Sequence, residues 1–258
     1  MMMSALPAQD GSSAEPGLYL YGIVRAGARL PEALVGVVAT TPHLHEDDGG
    51  LAAVVSDLPD DADFGTPQDL LAHSTVLDEI ARTTTVLPAR FGTVLPSGQA
   101  VHEEVLADPE RLAETLNSLE GAVQYTVRVR YEQDVVLPEI LRADPRLALL
   151  REEIAGTTED ETRTQRIALG EAVVGHYEAM RGPDAQELLD ALEPLVRDVA
   201  THEGGQADDV VDVALLVPRE NTERFEAAVE AAAERHHPRM KYRLLGPQAP
   251  YDFVDGGQ

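Results

Sequence analysis

The protein has 258 residues, of which 43% are hydrophobic and 4% aromatic, and it has no cysteine. The lack of cysteine excludes disulfides, thiol catalysis and cysteine-ligated metals, and no apolar run approaches the roughly 20 residues of a membrane-spanning helix. With 20 basic against 46 acidic residues, the net charge of −26 disfavours nucleic acid and anionic membranes as partners. The favoured explanation is a GC-rich genome or a salt-adapted cytoplasm, with acids solvating the surface, and recognition of a basic partner is the alternative.

The first 16 residues, MMMSALPAQDGSSAEP, are rich in glycine, serine, proline and alanine. They lack the basic region followed by an apolar region that marks a secretory signal. Their composition predicts a disordered leader over residues 1–16. Without a signal, the expected location is the cytoplasm.

Strand patterns open the chain. LYLYGIV, residues 18–24, alternates and is rich in tyrosine and isoleucine, and GLAAVVSDL, residues 50–58, predicts a second strand. Residues 35–39 form a shorter strand candidate between them.

A helix is predicted over residues 66–82. Thr66 suits the N-cap position and Pro67 the first helical position. Leu70, His73, Leu77 and Ile80 share one face of this helix.

The next segment, TTTVLPARFGTVLPS at residues 83–97, resembles a strand but contains a proline, a glycine and a single cation. Pro88 cannot donate a hydrogen bond to a neighbouring strand, so the strand should lie at an edge, begin there or bulge. Gly92 predicts a kink or a close backbone approach. Arg90, if covered, should form an ion pair that joins helix to sheet, and an anchor for a partner chain is the alternative.

The second half contains strands separated by helices. Strands are predicted at residues 121–132, 210–217 and 240–247, and helices at 99–107, 109–119, 138–200 and 220–235, with breaks at 156–158, 182–183 and 204–205. This order predicts an α+β fold with two domains. They are an N-terminal α+β domain, residues 17–125, and a C-terminal ferredoxin-like domain with a helical insertion, residues 126–258.

Motifs that carry chemistry are absent from the sequence. It contains no phosphate-binding glycine loop, no GxSxG and no HExxH. HLHEDD, residues 43–48, comes nearest to a metal-binding cluster, but a solvated loop between two strands is the favoured interpretation. His73 fits a hydrogen-bonded interior histidine better than a proton-transfer or pH-sensitive residue. We therefore expect no catalytic, cofactor or metal site.

Three separated motifs resemble those of the gas vesicle protein L/F family. They are YLYGIV at residues 19–24, HSTVLDEI with VLPARFGTVL at 73–95, and LLGPQAPYDFV at 244–254. Their order and spacing also fit, so the resemblance covers about residues 17–255.

The chain departs from the family pattern at several positions. Gln248 and Ala249 stand where the family carries Trp-Pro, Gln124 stands where an acid is frequent, and residues 212–217 replace an Asn-Ala-x-Phe-Leu-Val pattern. These departures weaken any residue-level inference at Gln248, Ala249 and Asp212.

The resemblance implies a non-catalytic accessory protein of gas vesicle formation, located in the cytoplasm and at the vesicle. It implies contact with the small hydrophobic shell-forming subunit and with other accessory proteins, and a C-terminal domain of modified ferredoxin-like form. The signature residues that become candidates for partner binding or structure are Pro88, Arg90, Phe91, Gly92, Tyr251 and Phe253. The alternatives are a minor structural component of the shell, or a small-ligand-binding sensor or enzyme, which would need a deep pocket of converging polar groups.

Overall fold

The computed structural model describes residues 17–47, 49–59, 61–202 and 205–254. The predicted leader therefore lies outside the described residues. The chain divides into two compact units, Met1–Asn117 and Ser118–Gln258. Each unit is built on its own antiparallel β-sheet.

The sheet of the first unit is centred on strand β1, Leu18–Arg25. On one side β1 pairs with β3, Leu51–Asp57, which pairs with β2, His43–Glu46. On the other side β1 pairs with two strands of two residues each, β4 at Leu87–Pro88 and β5 at Val94–Leu95. All residues of β1 except Arg25 are buried, as a central strand requires.

Helix α1, Pro67–Ala81, begins with a capping box. The backbone N–H of Asp69 donates to the Thr66 hydroxyl at 3.2 Å, and the Thr66 N–H donates to the Asp69 carboxylate at 3.0 Å. The helix buries His73, Leu77 and Ile80 as predicted, but Leu70 is 52% exposed. The buried face of α1 consists of residues 69, 73, 76, 77 and 80, and Leu70 lies outside this face.

Two local predictions for the first unit are wrong. Residues 35–39 do not form a strand, because Val37–Ala39 is a 3₁₀ helix with positive φ at Val38 and Ala39. Its first N–H, that of Val37, donates to the Tyr21 hydroxyl at 2.8 Å, which ties the turn to the sheet. The predicted loop at residues 43–48 contains strand β2, because alternation lets His43–Glu46 pair with β3.

The proline-containing segment is a strand only at its two ends. Leu87–Pro88 and Val94–Leu95 pair with β1, and residues 89–93 leave the sheet, so the predicted alternation fails there. The expectation that Pro88 marks an edge strand is confirmed, because among the described residues β4 pairs with β1 alone. Opposite Pro88, a Cβ on Gly22 would lie 2.5 Å from the Leu87 carbonyl oxygen, so only glycine fits there. The unit continues with a helical turn, α2 at Gly98–Ala100 followed by π-helical Val101–Val105, and with α3, Pro109–Ser118.

The sheet of the second unit has four strands in the order β7-β8-β6-β9. They are β6 at Ala122–Tyr131, β7 at Asp198–Thr201, β8 at Asp209–Pro218 and β9 at Met240–Gln248. Alternate residues of the two central strands enter one hydrophobic core, among them Tyr125, Val127, Val213 and Leu215. The strand predictions at 121–132, 210–217 and 240–247 are confirmed.

Helices cover that core. They are α4 at Gln133–Ala143, α5 at Pro145–Ile154, α6 at Arg163–Leu192 and α7 at Thr222–His236. The predicted break at Gly182–Pro183 does not occur, since α6 continues through it and buries Tyr177 before the proline and Leu188 after it. The predicted helical region ends early, because Val199 lies in β7 and is 43% exposed.

Candidate functional site: two signature segments

The N-terminal signature segment, residues 87–95, leaves the sheet at residues 89–93, which form an arch. Backbone hydrogen bonds join both ends of this arch to β1. The Ala89 N–H donates to the Tyr21 carbonyl at 2.7 Å, and the Leu20 N–H donates to the Thr93 carbonyl at 2.9 Å. Between these points the backbone arches over His73 of α1, whose Nε2 lies 3.2 Å from the Ala89 carbonyl oxygen.

His73 stands in a chain of hydrogen bonds whose directions follow from chemistry. A carbonyl only accepts, so Nε2 of His73 donates to Ala89. The Tyr19 hydroxyl accepts from the Gly92 N–H at 3.1 Å, so the hydroxyl's own proton goes to Nδ1 of His73, 3.0 Å away, and Nδ1 accepts it. The imidazole is therefore neutral, with its proton on Nε2.

Burial fits this protonation state. Desolvation lowers the pKa of His73 below its usual value, an effect that the bond to the Ala89 carbonyl partly opposes. Burial also raises the pKa of Tyr19 to about 12, so the hydroxyl keeps the proton that it donates. The favoured interpretation of His73 as a hydrogen-bonded interior histidine is confirmed.

Aromatic rings complete the packing around the pair. Phe91 meets the rings of Tyr19 and His73 edge to face, with centroids 6.3 and 5.7 Å away, and Phe64 meets Tyr19 at 5.6 Å. Tyr21 stacks on His73 at 5.7 Å. Phe91 is thus a packing residue that holds the arch against α1.

The arch turns at Gly92, whose φ of +86° lies in the left-handed region that favours glycine. This confirms the predicted kink. Arg90 corrects a prediction, because its side chain is exposed and makes no ion pair in the described part of the chain. At the tip of an arch, the guanidinium reaches water and needs no carboxylate partner.

The C-terminal signature segment, residues 248–254, folds back onto the sheet of the second unit. The Gln124 side chain forms a two-point contact with Asp252, donating to its carboxylate at 2.5 Å and accepting from its backbone N–H at 3.0 Å. Ala249 and Pro250 are buried, and Tyr251–Phe253 forms a 3₁₀ turn.

His202 bridges this segment to β8. Its Nδ1 lies 2.7 Å from Asp212 Oδ1 and its Nε2 lies 3.1 Å from Asp252 Oδ1. Because carboxylates only accept, both nitrogens donate, so the histidine is an imidazolium between two acids. The hydrogen bond to Asp212 raises the pKa of His202 most, Asp252 adds to it, and burial opposes both.

The structure thus separates the predicted site residues by role. Pro88, Gly92 and Phe91 shape the N-terminal signature segment, while Arg90 is exposed at its tip. In the C-terminal signature segment Tyr251 is 39% exposed, and Phe253 is partly buried.

Sequence reasoning missed the residues that hold the C-terminal segment in place. In the sequence, Gln124, Asp212 and Gln248 were only departures from a family pattern. In the structure Gln124 binds Asp252, Asp212 binds His202, and the Gln248 side chain lies 3.4 Å from the Thr126 hydroxyl. His202 lies in a polar stretch with no periodic signal. Alternation in β6, which puts polar Gln124 and Thr126 on the face opposite the core, was the one available clue.

Other kinds of site are not evident in the described part of the chain. No group of three or more histidines, aspartates and glutamates is arranged to hold a metal ion among those residues. Even the 30-residue helix α6 lacks the apolar character of a membrane-spanning segment, and so does every other helix in the described ranges.

Two antiparallel sheets covered by helices define a mixed α/β protein, and comparison with known proteins gives its family. The model of the family "Gas vesicle synthesis protein GvpL/GvpF" matches residues 17–255. The chain therefore belongs to the GvpL/GvpF family of gas vesicle synthesis proteins.

Individual relatives agree with this assignment. The chain is similar to gas vesicle protein F of Streptomyces sp. (strain CB03234), with 32% identity over 92% of this chain and 99% of the relative. It is 26% identical to gas vesicle protein L of the same strain, over 92% of both chains.

Crystal structures of two relatives share the fold. GvpF from Anabaena sp. PCC7120 superposes with a TM-score of 0.74 at 23% identity, covering 94% of this chain and 100% of that one. GvpF from Microcystis aeruginosa gives 0.71 at 24% identity, covering 92% and 98%.

Proposed function

We propose that this protein is a non-catalytic accessory protein of gas vesicle formation, acting in the cytoplasm and at the vesicle. In this proposal it binds the small hydrophobic shell-forming subunit and other accessory proteins during assembly. The family match over residues 17–255 carries the proposal. The closed hydrogen bonding of His73 and His202 supports it, because every ring nitrogen of both histidines is engaged by the chain itself.

An apolar contact explains binding of the shell subunit better than addition of a strand beside β4 does. The edge strand β4 offers only two residues, one of them Pro88, which has no N–H to donate to an added strand. Leu70 and Leu71 of α1, by contrast, are 52% and 66% exposed and form an adjacent apolar pair. We propose this leucine pair as the main contact, with Arg90 and Tyr251 as further candidates.

Co-purification of the shell-forming subunit tests the proposed contact. We expect Leu70→Ser with Leu71→Ser to reduce the retained subunit at least fivefold, while Arg224→Ala, at an exposed arginine of α7, retains it. A second variant combines Arg90→Ala with Tyr251→Ala. If both double variants retain the subunit as the wild type does, these surfaces are not the contact.

A genetic experiment tests the role itself. Deletion of the protein in a vesicle-forming cell should abolish vesicles, and the wild-type chain should restore them. If the leucine double variant restores vesicles to the wild-type level although it no longer co-purifies with the shell subunit, vesicle formation does not require this contact. Normal vesicles after deletion would refute the accessory role.

Two alternatives make different predictions. A minor structural component would remain in washed, intact vesicles in a fixed ratio to the shell subunit, whereas an assembly factor would be depleted.

A small-ligand sensor or enzyme would use a pocket, and a cavity of about 350 Å³ lies beside His202. His202 and Asp212 in its lining bind each other, which favours a structural role for these two. Arg181 donates to the Ala207 carbonyl through Nη2, but its Nε is buried without a hydrogen-bond partner in the described part of the chain.

The same comparisons favour the F-type over the L-type member. Identity is 32% to gas vesicle protein F and 26% to gas vesicle protein L of one Streptomyces strain. Complementation of separate deletions of the two genes in a vesicle-forming Streptomyces tests this assignment. Rescue of the F deletion alone is expected, and rescue of only the L deletion would reverse it.

The domains also remain a proposal; the predicted boundary between residues 125 and 126 would cut β6, so the proposed ferredoxin-like domain begins at Ser118, with the second compact unit. The strand order β7-β8-β6-β9 supports this domain, with α4 to α6 as the helical insertion. Since β6 begins at Ala122, expression of residues 118–258 is the test that keeps this strand whole. Cooperative unfolding of that piece is expected, and an unfolded piece would contradict the proposal.

A further inference from the structure

Two histidines that are 57 residues apart in sequence meet in the first unit, outside both signature segments. Nε2 of His45, on β2, lies 3.2 Å from Nε2 of His102, in the π-helical turn Val101–Val105. The ring centroids are 4.9 Å apart. The proposed accessory function uses neither residue.

The distance between these nitrogens suits one kind of metal coordination. Zinc binds imidazole nitrogen at about 2.0–2.1 Å, so tetrahedral geometry separates two such ligands by about 3.3 Å. Octahedral or square-planar neighbours at the same bond length would be about 2.9 Å apart. The observed 3.2 Å between the His45 and His102 nitrogens is nearer the tetrahedral value.

The lack of a side chain at Gly98 leaves room for the His45 ring. A Cβ on Gly98 would lie 2.6 Å from Cε1 of His45, so this ring position requires glycine at residue 98. Gly98 begins a helical turn whose N-cap, Ser97, accepts the Ala100 N–H at 3.3 Å. The π-helical turn that follows carries His102, and such turns are rare and recur at functional sites.

Access and charge also favour a cation. His102 is exposed and His45 is partly buried, so an ion from solvent can reach the nitrogens. The net charge of −26 raises the concentration of divalent cations near the surface. Within the described ranges no third histidine or acid converges on the pair, so water would fill the remaining positions.

We propose that His45 and His102 form a two-imidazole site for a divalent transition-metal ion of the zinc class, completed by water in tetrahedral geometry. Imidazole is a preferred ligand of such ions. The two ligand nitrogens, one from each histidine, lie on a strand and on a helical turn and not on a loop. A hydrogen bond between two neutral imidazoles is the competing explanation of the distance.

Isothermal titration of the full chain with zinc chloride, after chelator treatment, tests the site. We expect one Zn²⁺ per chain and at least a tenfold loss of affinity in His102→Ala. Gly98→Ala should also weaken binding, because the added Cβ displaces the His45 ring. His176→Ala, at a histidine of α6 that is 37% exposed, serves as the matched control and should bind as the wild type does.

Circular dichroism would show that His102→Ala stays folded, and His102→Gln provides a second variant at this exposed position. X-ray absorption of the zinc-loaded protein should show two imidazole ligands. No binding by the wild type, equal binding by wild type and His102→Ala, or zinc ligated by oxygen alone would each overturn the proposal and leave the hydrogen-bonded pair as the explanation. None of these outcomes bears on the accessory role.

Discussion

The Tyr19 hydroxyl lies 3.0 Å from Nδ1 of His73, a hydrogen bond that joins β1 to α1. The same hydroxyl accepts the Gly92 N–H at 3.1 Å. One buried oxygen therefore connects all parts of the family signature in the first unit: strand, helix and arch.

Removal of that hydroxyl should destabilise the first unit. Tyr19→Phe leaves Nδ1 of His73 and the Gly92 N–H without their partner, and an unsatisfied buried polar group costs about 1–3 kcal/mol. Urea unfolding measures the change. Thr75→Val, which removes an exposed hydroxyl from the same helix, is the control and should change the free energy of unfolding little. Equal effects of the two variants would show that the hydrogen bonds contribute nothing.

Acid should weaken the first unit through His73. Its folded pKa is lowered by burial, so the unfolded chain takes up a proton first as the pH falls below the ordinary value of 6.5. The free energy of unfolding should therefore fall between pH 6.5 and the lower pKa of the folded state. His73→Gln should lack this component of the slope. Parallel curves for wild type and variant would contradict the neutral histidine.

The C-terminal signature segment should respond to pH in the opposite sense. The folded pKa of His202 is raised by Asp212 and Asp252, so its stabilising effect is complete below 6.5 and is lost as the pH rises through the folded pKa. Proton NMR should show the His202 ring and the Asp252 amide titrating together, above the ordinary histidine value of 6.5. Titration of His202 at or below 6.5 would exclude the imidazolium bridge.

The turn of the arch should tolerate asparagine better than alanine. At Gly92, φ is +86° and a Cβ would meet nothing within 4 Å, so the cost comes from the backbone alone. Gly92→Ala should cost about 1 kcal/mol of stability and Gly92→Asn less, since asparagine enters the left-handed region more readily.

A helical glycine provides the contrast. Gly175 of α6 has ordinary helical geometry with open space around it, so Gly175→Ala should stabilise the second unit by about 0.5–1 kcal/mol. Thermal unfolding measures all three variants. Destabilisation by Gly92→Asn as large as that by Gly92→Ala would point to a side-chain clash instead of backbone strain.

Much of the fold could be predicted because its patterns are local. Alternation located β1 and β6, an apolar run located β8, and Thr66 with Pro67 located the start of α1. Prediction failed where a long-range contact outweighed the local pattern. Gly182 and Pro183 predicted a break, but burial of Tyr177 and Leu188 on one core keeps α6 continuous. Arg90 seemed to need a carboxylate only because the segment around it was expected to be a covered strand.

The sequence by itself determined the family, most of the longer strands and helices, and the interior position expected of His73. These follow from motif order, periodicity and the chemistry of single residues. Only the tertiary structure decided which polar groups meet: His73 with Tyr19, His202 with Asp212 and Asp252, and His45 with His102. Those pairings depend on strand register and chain reversal across 10 to 57 residues, and no local pattern in the sequence encodes such distances.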